Sequence, residues 1–367
     1  MVFMIVKNII QFLDILLSRS LGFRPKGPLF LYLEITRKCN LRCEFCNLWM
    51  VEKKNPELMR SEMNTDDILN IVKDAKDMGV EIVDIDGGEP LLREDVYKII
   101  KEVNRHGMKA VLATNGTLIT EAVAKKLLNS GVSSVLVSLD APVPERHDKI
   151  RGVKGSFKKA VEGIKILRKI GSGKIKIGIN SLVTRENLEL VKMAKFAGSL
   201  GVDWIRFLPY HLIYPHNIYS LQNEKLFIKD DPEINKLEDE IENLINFIPK
   251  TGLYTNSIPF LRGIPDYFRG KSVVKKCYAG YLFCDINCYG DLMPCLIKHK
   301  TLDIRNSSFK EAWNSGEFNK VRGEISKTRC ENCWHSCYIE PNIRMSPLYL
   351  LKNWRNVYRE IRSYLNV

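Results

Sequence analysis

The chain has 367 residues, 45% of them hydrophobic and 27% charged, with ten cysteines and a formal net charge of +13. This is an ordinary globular composition, with no low-complexity tract and no repeat of solenoid period, and the length suits one large domain plus a small one. The cysteines are grouped rather than scattered, which argues against a secreted disulfide scaffold and for metal sites in a reducing cytoplasm. The positive charge reads as a Lys-rich solvated surface, and no nucleic-acid partner is expected because no basic run is interleaved with stacking aromatics.

Residues 1–28 open on MVFMIVKNIIQFLDILLSR, where Lys7, Gln11, Asp14 and Ser18 recur at helical spacing among apolar residues. The spacing predicts an amphipathic helix with a narrow polar stripe. It lacks the basic n-region and small-residue cleavage site of a secretory signal, and it is too short and too interrupted to span a bilayer. Such a helix either packs on the protein or lies in a membrane interface.

Across 29–210, short apolar β-rich runs alternate with helical segments. Strands are predicted at Phe30–Ile35, Ile82–Asp86, Lys109–Ala113, Ser134–Leu139, Ile175–Leu182 and Trp204–Leu208. Helices are predicted at Met63–Met78, Arg93–Arg105, Glu121–Asn129, Phe157–Ile170 and Leu188–Leu200. The alternation predicts an α/β fold of parallel βαβ units with right-handed crossovers, a partial (β/α)6 TIM-like barrel with its chemistry at the C-terminal ends of the strands.

The motifs fall at those ends. After the first strand comes Thr36-Arg37-Lys38-Cys39-Asn40-Leu41-Arg42-Cys43-Glu44-Phe45-Cys46. Three thiolates can hold three irons of a [4Fe–4S] cube and leave the fourth open. A zinc knuckle would usually show a fourth Cys or His nearby, and the first histidine is the distant His106. Gly87-Gly88-Glu89-Pro90 follows the second strand, where paired glycines let backbone approach a ligand closely and Glu89 can meet an ammonium group. Thr114-Asn115-Gly116 follows the third strand and reads equally as a turn with a helix cap or as a ligand contact. Ser138-Leu139-Asp140 ends the fourth, with Arg151 shortly after, and Asn180 lies on the fifth.

In this order the motifs resemble the radical S-adenosylmethionine (SAM) superfamily. The resemblance implies that Cys39, Cys43 and Cys46 carry a [4Fe–4S] cluster whose open iron chelates SAM, and that Gly87, Gly88, Glu89 and Pro90 receive the SAM amino group. It further implies that Ser138 and Arg151 bind its carboxylate and ribose, with Asn115 and Asn180 as additional contacts. One electron from a reductant such as ferredoxin or flavodoxin would then cleave SAM to methionine and a 5′-deoxyadenosyl radical, which abstracts hydrogen from a C–H bond.

Residues 211–270 read as a proline-containing connector with one helix at Asp231–Phe247. Seven more cysteines follow: Cys277, Cys284, Cys288, Cys295, Cys330, Cys333 and Cys337. The stretch through Gly290-Asp291-Leu292-Met293-Pro294-Cys295 to Cys330-Glu331-Asn332-Cys333 resembles the SPASM extension, or its shorter twitch form, within a small cysteine-rich β-hairpin/helix domain at 271–340. Gly290 would make the hairpin turn and Phe309–Ser315 the helix. The resemblance implies an auxiliary [4Fe–4S] cluster on Cys277, Cys295, Cys330 and Cys333. Cys284, Cys288 and Cys337 are left over and can hold a second cluster with an open iron, and zinc is the alternative for this group. In 341–367, Leu350, Trp354, Val357, Ile361 and Tyr364 face away from Lys352, Arg355, Arg359 and Arg362 in a basic amphipathic helix.

No catalytic acid or base is identified, and Tyr210, His211, Tyr214 and His216 after the sixth strand receive no role. Sulfatase-maturing relatives tend to carry an acid after the last hairpin cysteine, where this chain has Leu296. The two terminal helices and the basic charge favour a lipid-like substrate and a peripheral membrane contact. A peptide or small-molecule substrate, and a non-enzymatic iron–sulfur electron carrier, are the alternatives.

Overall fold

The computed structural model describes residues 2–50, 61–212, 223–271, 273–274, 276–297, 302–327, 330–331, 333–346 and 349. After helix α1 (Val2–Leu21), strands and helices alternate as β1 (Phe30–Thr36), α2 (Thr65–Met78), β2 (Ile82–Gly87), α3 (Val96–Arg105), β3 (Lys109–Thr114), α4 (Glu121–Ser130) and β4 (Ser134–Ser138). Helices α5 (Pro144–Arg151) and α6 (Ser156–Gly171) precede β5 (Lys176–Val183), α7 (Leu190–Ser199) and β6 (Trp204–Pro209). Strands β1 to β6 pair in sequence order and all in parallel, the α/β partial barrel expected from the alternation.

Local chemistry fixes the ends of the elements. Asn64 and Asp67 form a capping box at the start of α2, and Gly79, at φ 90°, closes it in the left-handed conformation. Outward residues of the strands, such as Leu31, Leu33, Val83 and Ile85, are fully buried beneath the helices. Helix α5 was not expected, because its residues are nearly all polar and carry no apolar period. Its signal is the pair of punctuators, Pro144 in the first turn and Gly152 at φ 68° after the last.

Downstream come α8 (Asp231–Phe247), α9 (Ile258–Phe268), β7 (Val273–Val274), β8 (Phe283–Ile286), β9 (Asp291–Met293), β10 (Leu302–Asp303), α10 (Phe309–Asn314), α11 (Gly316–Lys327), β11 (Cys330–Glu331) and α12 (Ser336–Arg344). Helix α9 lies where the prolines suggested a plain connector; Ser257 caps it, and it buries Phe260, Leu261, Ile264, Tyr267 and Phe268 while Ile258, Arg262 and Asp266 form an exposed stripe. The expected hairpin forms between β8 and β9 with Gly290 at φ 86° in its turn. It does not stand apart from the barrel: β8 pairs in parallel with β1, giving one sheet in the order β10-β9-β8-β1-β2-β3-β4-β5-β6. The fully buried Arg322 of α11 locks this region, donating to the carbonyls of Gly280 and Trp313 and stacking 4.2 Å from the Trp313 ring.

Helix α1 packs on the protein largely through its polar side. The Gln11 side-chain amide donates to Gly79 O at 2.8 Å, Asp14 accepts from the Lys26 amide, and Arg19 donates to Cys277 O. Ile15 is buried among them, whereas Ile10, Leu13, Leu17, Leu21 and Phe23 are 48–63% exposed. The helix expected over 346–365 lies outside the described residues, apart from Ser346 and Tyr349.

Candidate active site and metal centres

The loop carrying Cys39, Cys43 and Cys46 is clasped by the end of α5. The Arg42 and Glu44 amides donate to the Arg151 and Ile150 carbonyls, and a Cβ at Gly152 would lie 2.0 Å from Arg42 O, so only glycine permits the approach. Arg151 forks onto Asp140 at 2.6 and 3.0 Å, and its remaining terminal nitrogen points at the Cys43 sulfur, 3.9 Å away. Burial pushes the Cys43 thiol up to about 11 and the Cys46 thiol up to about 12, while the Arg151 charge pulls both back down. Such thiols give up their protons to a metal rather than to water. Arg151 is thus held in a buried bidentate ion pair beside the cysteine loop. Glu89 is fully buried and accepts from Thr114 Oγ1 and from the amides of Leu91 and Asn115. Its carboxylate ties the end of β2 to β3.

The turn is built for close approach. A Cβ on Gly87 would lie 2.2 Å from Thr36 O, and one on Gly88 2.3 Å from Lys38 O. Pro90 then starts a short 3-10 turn, Pro90–Leu92. Asn115 donates to the Asn40 side chain, which itself donates to Thr117, linking β3 to the cysteine loop. Ser138 and Asn180 are direct neighbours in the β4–β5 register, and Asn180 Oδ1 is buried with no hydrogen-bond partner among the described residues. Three thiols, a glycine cradle and an orphaned amide oxygen at adjoining strand ends fit a cluster and a SAM molecule.

Of the C-terminal cysteines, four are brought together. The β7–β11 pairing returns Cys330 to the vicinity of Cys277, whose thiol contacts that of Cys330, and Cys295 and Cys333 are their electrostatic neighbours. Hydrogen bonding to Cys330 and burial drive the Cys277 thiol well above its ordinary range. The other three have separate surroundings. Cys284 lies near Arg322, Cys288 donates to Glu34 Oε1 at 3.2 Å, and Cys337 is the electrostatic neighbour of Asp84 and Arg206. They are not gathered as a second cluster would need. Among the described residues no three His, Cys, Asp or Glu could hold a single metal ion; a cube spaces its thiolates on different irons.

Between the two cysteine groups lies a cavity of about 200 Å³, bounded by Leu48 of the cysteine loop, by Tyr32, Glu34 and Asp86 on β1 and β2, and by Asp285, Leu296 and His335. A neighbouring space of about 120 Å³ shares His335 and reaches Phe45, Tyr210 and His211. The inward residues Tyr32, Glu34, Asp84, Asp86 and Asp285 were not singled out from the sequence. Their signal is the polar–apolar alternation of Tyr32-Leu33-Glu34-Ile35 and Val83-Asp84-Ile85-Asp86, unusual in parallel strands that are buried on both faces. Burial pushes Asp84 up to about 6 and Asp86 well above the carboxylate range, with neighbouring acids adding to the latter. His211 donates from Nδ1 to Pro209 O and accepts at Nε2 from the Trp334 amide, a tautomer assigned from its partners. Burial lowers His335 to about 4, so both histidines are neutral at pH 7. Tyr214 and His216 lie outside the described residues.

The buried Asp140–Arg151 pair generates a test of this assembly. Arg151→Met strands a fully buried carboxylate and is expected to cost about 3–5 kcal/mol, whereas Arg151→Met with Asp140→Asn regains most of it. Thermal denaturation checks this, and equal losses in the single and double variants would deny the pair its role.

A model of the radical SAM superfamily matches residues 33–197, and one of the SPASM iron–sulfur cluster-binding domain matches residues 277–338. The chain is 30% identical over 314 residues to an AdoMet-dependent heme synthase of Nitratidesulfovibrio vulgaris, covering 82% of this chain and 83% of that relative. It is 29% identical to the mycofactocin maturase MftC of Mycolicibacterium smegmatis, over 84% and 76% of the two chains. Among solved structures, Streptococcus suis SuiB bound to the precursor peptide SuiA superposes with a TM-score of 0.65 at 19% identity, covering 89% of this chain and 72% of SuiB. The likeness to SuiB is one of fold, but the heme synthase match covers more than four fifths of both sequences, and the chain belongs to the radical SAM superfamily.

Proposed function

We propose that the protein is a peptide-modifying radical SAM enzyme that takes a hydrogen atom from a side chain held between its two cysteine groups. When bound, the family's [4Fe–4S] cluster and SAM supply, on one-electron reduction, the hydrogen-abstracting species. Cys39, Cys43 and Cys46 would hold that cluster, Gly87 and Gly88 would receive the SAM amino group on their backbone, and Ser138 and Asn180 would receive its hydroxyls. Cys277, Cys295, Cys330 and Cys333 would hold the auxiliary cluster near the other wall of the cavity. That cluster would supply a one-electron acceptor, and a cavity carboxylate such as Asp86 would take the proton, so that loss of a hydrogen atom, an electron and a proton makes a net two-electron oxidation of the substrate. Ferredoxin or flavodoxin would supply the first electron.

The observation that carries this reading is the size and lining of the cavity. Spaces of about 200 and 120 Å³ are below the ~300–1,000 Å³ usual for drug-sized ligands. They suit one amino-acid side chain better than a rigid, carboxylate-bearing tetrapyrrole such as the heme named for the synthase relatives. An alkyl chain would have to desolvate the carboxylates, which disfavours the lipid-like substrate expected from the terminal helices. MftC and the peptide-bound SuiB are in line with a peptide substrate.

A membrane contact is a second, compatible reading, and the exposed apolar residues of α1 favour it. Ile10, Leu13, Leu17 and Leu21 recur at helical spacing on the side turned away from the protein, with exposed Phe23, Arg24 and Lys26 beyond them. No helix among the described residues is long and apolar enough to cross a membrane, so the contact would be peripheral.

The substrate reading is tested with extract from cells grown in deuterated medium, separated into peptide, lipid and tetrapyrrole fractions and offered to the reduced enzyme with unlabelled SAM. Deuterium is expected in 5′-deoxyadenosine only with the peptide fraction; transfer from the lipid or tetrapyrrole fraction would contradict it. For the membrane contact, sedimentation with anionic vesicles should retain the wild type. Leu13→Glu with Leu17→Glu should weaken binding by about tenfold without changing SAM cleavage. Equal sedimentation of the two proteins, or no binding by either, would remove this second reading.

A further inference from the structure

The inner face of the sheet beside the cavity carries an unusual excess of carboxylates. In register, Tyr32 of β1 stands opposite Asp285 of β8 on one side and Asp84 of β2 on the other, and Glu34 stands opposite Asp86 one row further on. Glu34 is matched by Arg37 at 2.9 Å. Asp84 has the charge of Arg206 on β6 within electrostatic range, and among the described residues no cation acts on Asp86 or Asp285. Asp285 is 95% buried, from a relative exposure of 5%, and one of its oxygens accepts from the Tyr338 hydroxyl at 2.8 Å. Asp285 lines the cavity, and its other oxygen is buried with no hydrogen-bond partner among the described residues; Asp84, which does not line the cavity, likewise has one buried oxygen without such a partner.

Acids that face one another with so few cations and donors are costly, and such groups are normally paired. A partner that brought positive charge and N–H donors into this space of about 200 Å³ would relieve that cost. We propose that Asp86 and Asp285, with Asp84 behind them, form a subsite for a cationic group of the substrate, the ammonium or guanidinium of a Lys or Arg side chain. That this cation belongs to a peptide rests on the reading above; the preference for a cation does not. Bound there, the aliphatic stem would cross the cavity with its C–H bonds exposed to the chemistry, while the charged end fixes register. Arg37 and Arg206 at the margin would turn away a second cation that was not seated on the acids.

The preference is measured by calorimetric titration of the reconstituted holoenzyme, loaded with SAM, with three probes: N-acetyl-lysine methylamide, its neutral counterpart N-acetyl-norleucine methylamide, and N-acetyl-glutamate methylamide. The lysine probe is expected to bind at least about tenfold more tightly than norleucine, with glutamate weakest. Asp86→Asn and Asp285→Asn should each remove most of that preference while leaving thermal stability unchanged or raised, because each relieves repulsion. Should either variant fail to load iron, Asp84→Asn provides the same comparison. Norleucine binding as well as lysine, no saturable binding of the lysine probe, or a preference that survives every variant overturns the proposal. A peptide reading that failed the deuterium test would leave this measurement intact, so the two can fail separately.

Discussion

Strand β1 is the member on which the rest of the structure depends. It pairs with β2 on one edge and with the C-terminal strand β8 on the other, so a segment more than 250 positions away in sequence becomes part of the barrel sheet. Its end releases the Cys39–Cys46 loop, and its inward residues Tyr32 and Glu34 line the cavity. The Tyr32 hydroxyl donates to Cys337 O at 2.6 Å, tying helix α12 to the same strand. One parallel pairing therefore sets the position of both cysteine groups relative to the cavity, and each can act on what is bound there.

The barrel spends buried polarity to make that cavity. Outward side chains of β1 and β2 are apolar and fully buried, while the inward ones pass from Phe30 and Ile82 at the strand starts to a tyrosine and acids further on. A barrel built for stability alone would fill this interior with branched aliphatics. The cost falls where chemistry is expected, in keeping with the rule that local conflicts in a sequence mark functional sites. Helix α1 is a second such conflict, since it buries Gln11 and Ser18 while leaving Ile10, Leu13, Leu17 and Leu21 exposed.

The fold was largely legible because its signals are periodic and local. Each of the six barrel strands emerged within a few residues of its expected limits, as did α8 and the hairpin turn at Gly290. Helices α5 and α9 were missed for different reasons, the first having no apolar face and the second having prolines at 259 and 265 that obscured its apolar face. The cysteine motifs are specific because iron ligation demands a residue type at a spacing. The surroundings of Glu89 and Arg151 were less legible, since the partners that engage them, Thr114 and Asp140, could be assigned only with the fold in hand. The cavity acids were hidden for the same reason: alternation was visible, but which face pointed inward required the register with β8.

The central claim is that the Cys39, Cys43 and Cys46 loop holds a SAM-cleaving cluster and that Cys277, Cys295, Cys330 and Cys333 hold one auxiliary cluster. Iron and sulfide content, measured with dithionite-dependent 5′-deoxyadenosine formation on anaerobically reconstituted protein and on its Cys39→Ala, Cys43→Ala, Cys46→Ala triple variant, tests it most directly. The account predicts about eight irons per wild-type chain, about four in the variant, and SAM cleavage only in the wild type. About twelve irons would mean that Cys284, Cys288 and Cys337 are ligands after all. Zinc in place of iron, or iron without SAM cleavage, would contradict the account.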